Sequence, residues 1–138
     1  MGKTIREVMT SNPCTIDADK DIAYAAKMLR DEDVGVAPIV EGDQLIGVLT
    51  DRDIAIKVVA EGKDPQTTKV REIASKDIVT IDPQQDLDEA LRLMAQHQVR
   101  RLPVVEEDGK VVGIIAQADV ALQSDDAKTG ELVEKISK

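Results

Sequence analysis

Ile5-Arg6-Glu7-Val8, near the start of the chain, returns as Val70-Arg71-Glu72-Ile73, and the register between the two stretches holds without a gap for about thirty-five residues. Thr15-Ile16-Asp17 falls on Thr80-Ile81-Asp82, Asp21 on Asp86, and Ala25 on Ala90. Val34 with Pro38-Ile39-Val40-Glu41 falls on Val99 with Pro103-Val104-Val105-Glu106. An added residue in the turn near Gly109 shifts the register. Gly47-Val48-Leu49 then meets Gly113-Ile114-Ile115, and Asp53-Ile54-Ala55 meets Asp119-Val120-Ala121. Two copies of so long a period point to an intramolecular pseudo-dimer rather than an open array.

Each copy reads as strand, helix, strand, strand, helix, an α+β unit. A short apolar stretch, Cys14-Thr15-Ile16 or Ile78-Val79-Thr80-Ile81, suits a strand. In copy two Leu87, Ala90, Leu91 and Met94 recur at helical spacing behind Asp86 and Glu89; copy one repeats this with Ile22, Ala25, Ala26 and Leu29 behind Asp21. Two apolar runs, Ala37 to Val40 and Leu45 to Leu49, flank Glu41-Gly42-Asp43-Gln44 and read as a hairpin. Glu107-Asp108-Gly109-Lys110 takes that turn's place in copy two. A second helix opens at Thr50 or near Gln117. The expected organisation is copy one over 1–60, a Gly/Pro/polar linker over 61–69, copy two over 70–123, and a polar tail over 124–138 in which Leu132, Val133 and Ile136 form a weakly amphipathic patch.

With 138 residues, either copy alone buries too little surface, and the duplication remedies this. The core must be aliphatic, because there is no Trp or Phe and the single aromatic is Tyr24. A net charge of −9 and the lack of stacking rings argue against nucleic acid and anionic membrane as partners. The single cysteine, Cys14, rules out an intramolecular disulfide framework and reads as a small core residue in a reducing compartment. With no apolar run of spanning length and no signal-peptide core in MGKTIREVM, the expected location is the cytoplasm.

Val99-Arg100-Arg101-Leu102-Pro103-Val104-Val105 and Gly47-Val48-Leu49-Thr50-Asp51-Arg52-Asp53, in tandem, resemble the CBS-domain family, with the similarity running from Ile5 to Ala121. The chain is similar to stand-alone bacterial CBS pairs (Bateman modules), the hypoxic-response type among them. The resemblance implies two units packed through their sheets about a pseudo-twofold axis. It also implies clefts that bind adenosine-containing ligands, association into homodimers through the Met28 and Met94 helices, and a regulatory, energy-sensing role. The candidate ligands are AMP, ADP, ATP or S-adenosylmethionine, with no obligatory cofactor and with room for an unidentified protein partner.

Thr50-Asp51-Arg52-Asp53 follows a strand and opens a helix, a place that favours an anion. In the family the acid at Asp53 accepts both hydroxyls of a ribose. The alternative is structural, since Thr50 and Asp53 have the spacing of a capping box. Copy two has Ala116 in place of Thr50 but keeps Asp119, and this retained acid leans toward a ligand role. Arg100 and Arg101 stand where copy one has Gly35 and Val36, and their planar donor forks suit phosphate oxygens. By resemblance they complete a cleft with Thr50 and Asp53, and the cleft of Asp119 is weak or empty. Val36, Ala37 and Pro38 are candidate walls for an adenine, and the backbone from Pro13 to Thr15 for reading its edge.

Enzymatic chemistry finds no support. His97, the single histidine, has no orienting partner, and there is no Walker-type, GxGxxG or HExxH motif. Asp31-Glu32-Asp33 and Ser124-Asp125-Asp126 lack calcium-loop spacing. The competing readings are a dimeric scaffold with degenerate clefts and, more remotely, a redox or metal sensor using Cys14 and His97.

Overall fold

Asp21 accepts the backbone N–H of Tyr24 at 2.7 Å and Asp86 that of Glu89 at 2.9 Å, so each copy opens its long helix on the acid that the repeat preserves. Both helices end on a left-handed residue, Asp33 (φ 54°) and Gln98 (φ 55°), whose N–H groups return to carbonyls of the last turn. The computed structural model describes residues 3–123. In chain order the elements are α1 (Ile5–Val8), β1 (Thr10–Ser11), β2 (Ile16–Asp17), α2 (Ile22–Glu32), β3 (Val36–Glu41), β4 (Gln44–Thr50) and α3 (Asp51–Ile54), which continues as a π-helical turn over Ala55–Val59. They continue with α4 (Val70–Ile73), α5 (Leu87–His97), β5 (Arg101–Val105), β6 (Val111–Ala116) and α6 (Gln117–Gln123). The tail from 124 lies outside the described residues.

One compact unit is formed by residues 14–78. Its sheet has the order β2-β3-β4, with β2 parallel to β3 and β3 antiparallel to β4. The outer side of β4 is paired by Ser75, which exchanges two backbone hydrogen bonds with Val48 at 2.8 and 2.9 Å. Gly47 permits this approach, because a Cβ there would lie 2.7 Å from the Ser75 carbonyl oxygen. The core combines Ile16, Ile22, Ala25, Leu29, Ile39, Leu49 and Val58 with Val70 and Ile73.

The other unit joins residues 3–13 to 79–123. Its sheet runs β1-β6-β5, all antiparallel, with Ile81 bridging Val104 in parallel on the far side. Gly113 faces Met9 and the Thr10 carbonyl, where a Cβ would stand 2.8 Å from the oxygen. Ile5 joins Ile81, Leu87, Ala90, Leu91, Met94, Leu102, Val104, Ile115 and Val120 in the core.

The compact units therefore differ from the repeat copies. The short helix that heads each copy, followed by β1 in one and by the bridging Ser75 in the other, completes the sheet and core of the unit built on the other copy's body. Burial holds these arms. Arg6 pairs with Glu106 at 3.0 Å and Arg71 with Glu41 at 2.7 Å, but all four side chains are exposed. Such pairs contribute about 0–1 kcal/mol, against about 1.5–3 kcal/mol for each buried Ile or Val. The expected linker is not free either, since Pro65 and Thr68 carbonyls accept the N–H groups of Ala23 and Ile22 at 2.9 Å.

Two further expectations change. Ala26 is exposed, although its counterpart Leu91 is fully buried, because a methyl group at the edge of the stripe projects too little to reach the core. The apolar stripes of α2 and α5 pack largely into their own cores, Met94 being fully buried, while Tyr24 on α2 stays 41% exposed. The other exposed large apolar residues among those described are Val34, Ile56, Val59 and Leu122.

Ile5→Ala is expected to cost about 2–5 kcal/mol in unfolding free energy. By hydrogen exchange the loss of protection should fall on residues 87–120, not on 16–58 as the repeat boundaries would have it.

Candidate functional site

In the unit of residues 14–78, β4 ends on Thr50, whose register partner on β3 is Val36. The Thr50 hydroxyl oxygen accepts the Asp53 backbone N–H at 3.0 Å, and Asp53 Oδ2 accepts the Thr50 N–H at 3.0 Å. The capping box is thus formed, and the structural role of these residues is real. It does not exhaust the carboxylate. Asp53, with 16% of its side chain exposed, also faces the Lys57 ammonium, whose Nζ stands 3.2 Å from Oδ1. Lys57 in turn donates to the Ile73 carbonyl at 3.3 Å, one of the oxygens that the end of α4 leaves without a helical partner.

Gly35 lies under the same edge. Its carbonyl accepts the Asp51 N–H at 3.0 Å, and a Cβ on it would lie 3.3 Å from Asp51 Oδ2. Thr15 is half-buried just before β2, and Val36 is half-buried. Ala37 belongs to the core with no exposed surface, and Pro38 is buried.

The equivalent edge of the other unit is built differently. Among the described residues, Asp119 Oδ2 accepts the Ala116 N–H at 3.3 Å, and with Ala116 in place of Thr50 no hydroxyl there returns the bond. Arg101 pairs with Ala116 across β5 and β6, and the Arg100 carbonyl accepts the Gln117 N–H at 2.8 Å. Both guanidinium groups are exposed, and neither has an ion-pair partner among the described residues. Gln117 Nε2 is buried there without a hydrogen-bond partner. The position matching Lys57 is Gln123, whose Oε1 accepts from Lys3 Nζ at 3.0 Å.

The structure brings Thr50, Asp53 and Val36 together on one edge and Arg100, Arg101 and Asp119 on its counterpart. Sequence reasoning missed Lys57. Its spacing four residues after Asp53 was a readable signal for an ion pair; its bond to the Ile73 carbonyl was not. Cys14 is half-buried, and burial, aided by the Glu32 charge, raises its thiol pKa, which disfavours the reactive thiolate.

The model of the CBS domain family matches residues 5–60 and 70–124. The CBS domain-containing protein YhcV of Bacillus subtilis (strain 168) is 39% identical over 135 residues, covering 97% of this chain and 95% of that protein. A crystal structure of Hypoxic Response Protein I with two coordinated zinc ions superposes with a TM-score of 0.81 at 37% identity, over 89% of this chain and 100% of that one. Among the described residues here, no group of three His, Cys, Asp or Glu side chains is placed to hold a metal ion. The CBS domain pair of protein MJ0100, solved in complex with 5′-methylthioadenosine and S-adenosyl-L-methionine, superposes with a TM-score of 0.76 at 26% identity, over 88% of this chain and 95% of that one. Both copies match the family, and the YhcV likeness runs nearly end to end; this chain belongs to the CBS domain family, as a tandem pair.

Proposed function

We propose that this CBS pair is a non-catalytic regulatory module that senses an adenosine-containing ligand, drawn from AMP, ADP, ATP and S-adenosylmethionine. Asp53 carries the reading. Its carboxylate is mostly buried, oriented by the Thr50 N–H, and retains acceptor capacity on both oxygens, which is what the two hydroxyls of a ribose require. Arg100 and Arg101, on the corresponding edge of the other unit, are proposed as charge-assisted donors to an anionic ligand, their guanidinium groups being exposed and without ion-pair partners among the described residues. Asp119, lacking both a hydroxyl partner and a neighbouring lysine, is assigned to a weak or vacant site. The relative solved with two adenosyl compounds supports the ligand class. For binding to signal, the ligand must favour one geometry of the module over another. The expected setting is the cytoplasm, with one cysteine and no disulfide, and the expected readout is a change presented to a protein partner.

Calorimetric titration of the four ligands tests this. Saturable binding of one ligand per chain is expected, with Asp53→Ala weakening it by at least about tenfold through the loss of charge-assisted hydrogen bonds. Replacing Arg100 and Arg101 by Ala should weaken AMP and ATP more than adenosine. No heat and no thermal stabilisation by any of the four would sink the sensor reading and leave a scaffold.

The module is further proposed to act as a homodimer covering Ile56 and Val59, which are 46% and 70% exposed. Sedimentation equilibrium should give a dimer for the native chain and a monomer for Val59→Asp. A native monomer would refute the assembly.

A further inference from the structure

We infer that Lys57 is a positioning residue that makes Asp53, and not Asp119, a receptor for a vicinal diol. This rests on the ligand reading above and deepens it. A carboxylate has about four lone-pair directions, two on each oxygen. In the unit of residues 14–78, the Thr50 N–H takes one on Oδ2 at 3.0 Å, and the Lys57 ammonium faces Oδ1 at 3.2 Å. Oδ2 keeps a free direction, and Oδ1, faced by the ammonium as an ion pair, keeps its own, so both oxygens can still accept from two adjacent hydroxyls. The hydrogen bond on one oxygen and the ion pair on the other bias the carboxylate's rotation about its last bond. Its orientation is set before a ligand arrives, so less freedom is lost on binding.

Lys57 can do this because it is itself anchored. Lysine is a flexible chain that rarely fixes a partner at a half-exposed site. Here its second bond, to the Ile73 carbonyl at 3.3 Å, fixes the ammonium from the other side. The stretch that carries it is the π-helical turn Ala55–Val59, closed by the Ala60 N–H on the Ala55 carbonyl at 2.9 Å. That turn sends Val58 fully into the core and leaves Lys57 on the side of Asp53 and α4. The other copy serves as an internal control. Its α6 is a regular helix, Gln123 stands in place of Lys57 and binds Lys3, and Asp119 holds a single longer bond at 3.3 Å.

The test compares AMP with 2′-deoxy-AMP, which lacks one hydroxyl of the diol, on the full chain carrying Lys57→Met or Lys57→Arg. Lys57→Met should weaken AMP by about threefold, the scale of a half-exposed ion pair, and leave 2′-deoxy-AMP nearly unchanged, so that the preference for the ribonucleotide narrows. Lys57→Arg, which keeps a cation within reach of both partners, should restore it. The thermal midpoint of Lys57→Met should stay close to that of the native chain. If the native chain prefers AMP and Lys57→Met keeps the full preference, or loses both ligands equally, the positioning role is overturned while the sensor reading stands. If the native chain binds neither nucleotide, the sensor reading fails and the role of Lys57 with it.

Discussion

The exchanged arms set the terms for everything else in the molecule. A sheet of two or three strands with an open edge and a core open at one end is too small to hold together, and each body, built from a single copy, has both defects. Ile5 and Val70 close the two cores, while Thr10 and Ser75 pair the outer sides of the hairpins at Ile114 and Val48. The two glycines at these crossings, Gly47 and Gly113, mark the closest backbone approach and admit no side chain. Each copy is thus incomplete without the chain of the other, and duplication is a structural requirement of this fold rather than a doubling of independent domains.

The candidate site inherits its rigidity from that arrangement. Thr50 ends the strand that Ser75 pairs, and the carbonyl that anchors Lys57 belongs to the arm helix packed in the same core. The carboxylate of Asp53 is therefore oriented by three segments of backbone: its own helix start, the π-helical turn and the arm. A capping box and a ligand-binding acid, rival readings in the sequence, are compatible here. The box occupies one direction on one oxygen, and a carboxylate has several more.

The two copies have diverged at their corresponding edges in a coordinated way. Gly35 leaves room for the Asp51 carboxylate, whereas Arg100 and Gln117 occupy the matching positions of the other unit. Thr50 and Lys57 give way to Ala116 and Gln123. One edge has become acidic and preorganised, and the other has become basic with a loosely held acid.

Much of this was legible before any coordinates. Repetition of apolar spacing placed the long helices, hairpins and aliphatic core, because burial periodicity is a local property of the chain. The asymmetry between Thr50 and Ala116, and between Gly35-Val36 and Arg100-Arg101, was likewise present in the letters. What the sequence could not disclose was which body each arm serves. Ile5 and Val70 have the same character and fit either core, so the choice depends on chain geometry across many residues and not on local pattern. Nor could spacing alone show that Ala37 is fully buried, or that Lys57 reaches the Ile73 carbonyl. These are contacts between segments distant in sequence, fixed when the arm docks, and only the tertiary structure decides them.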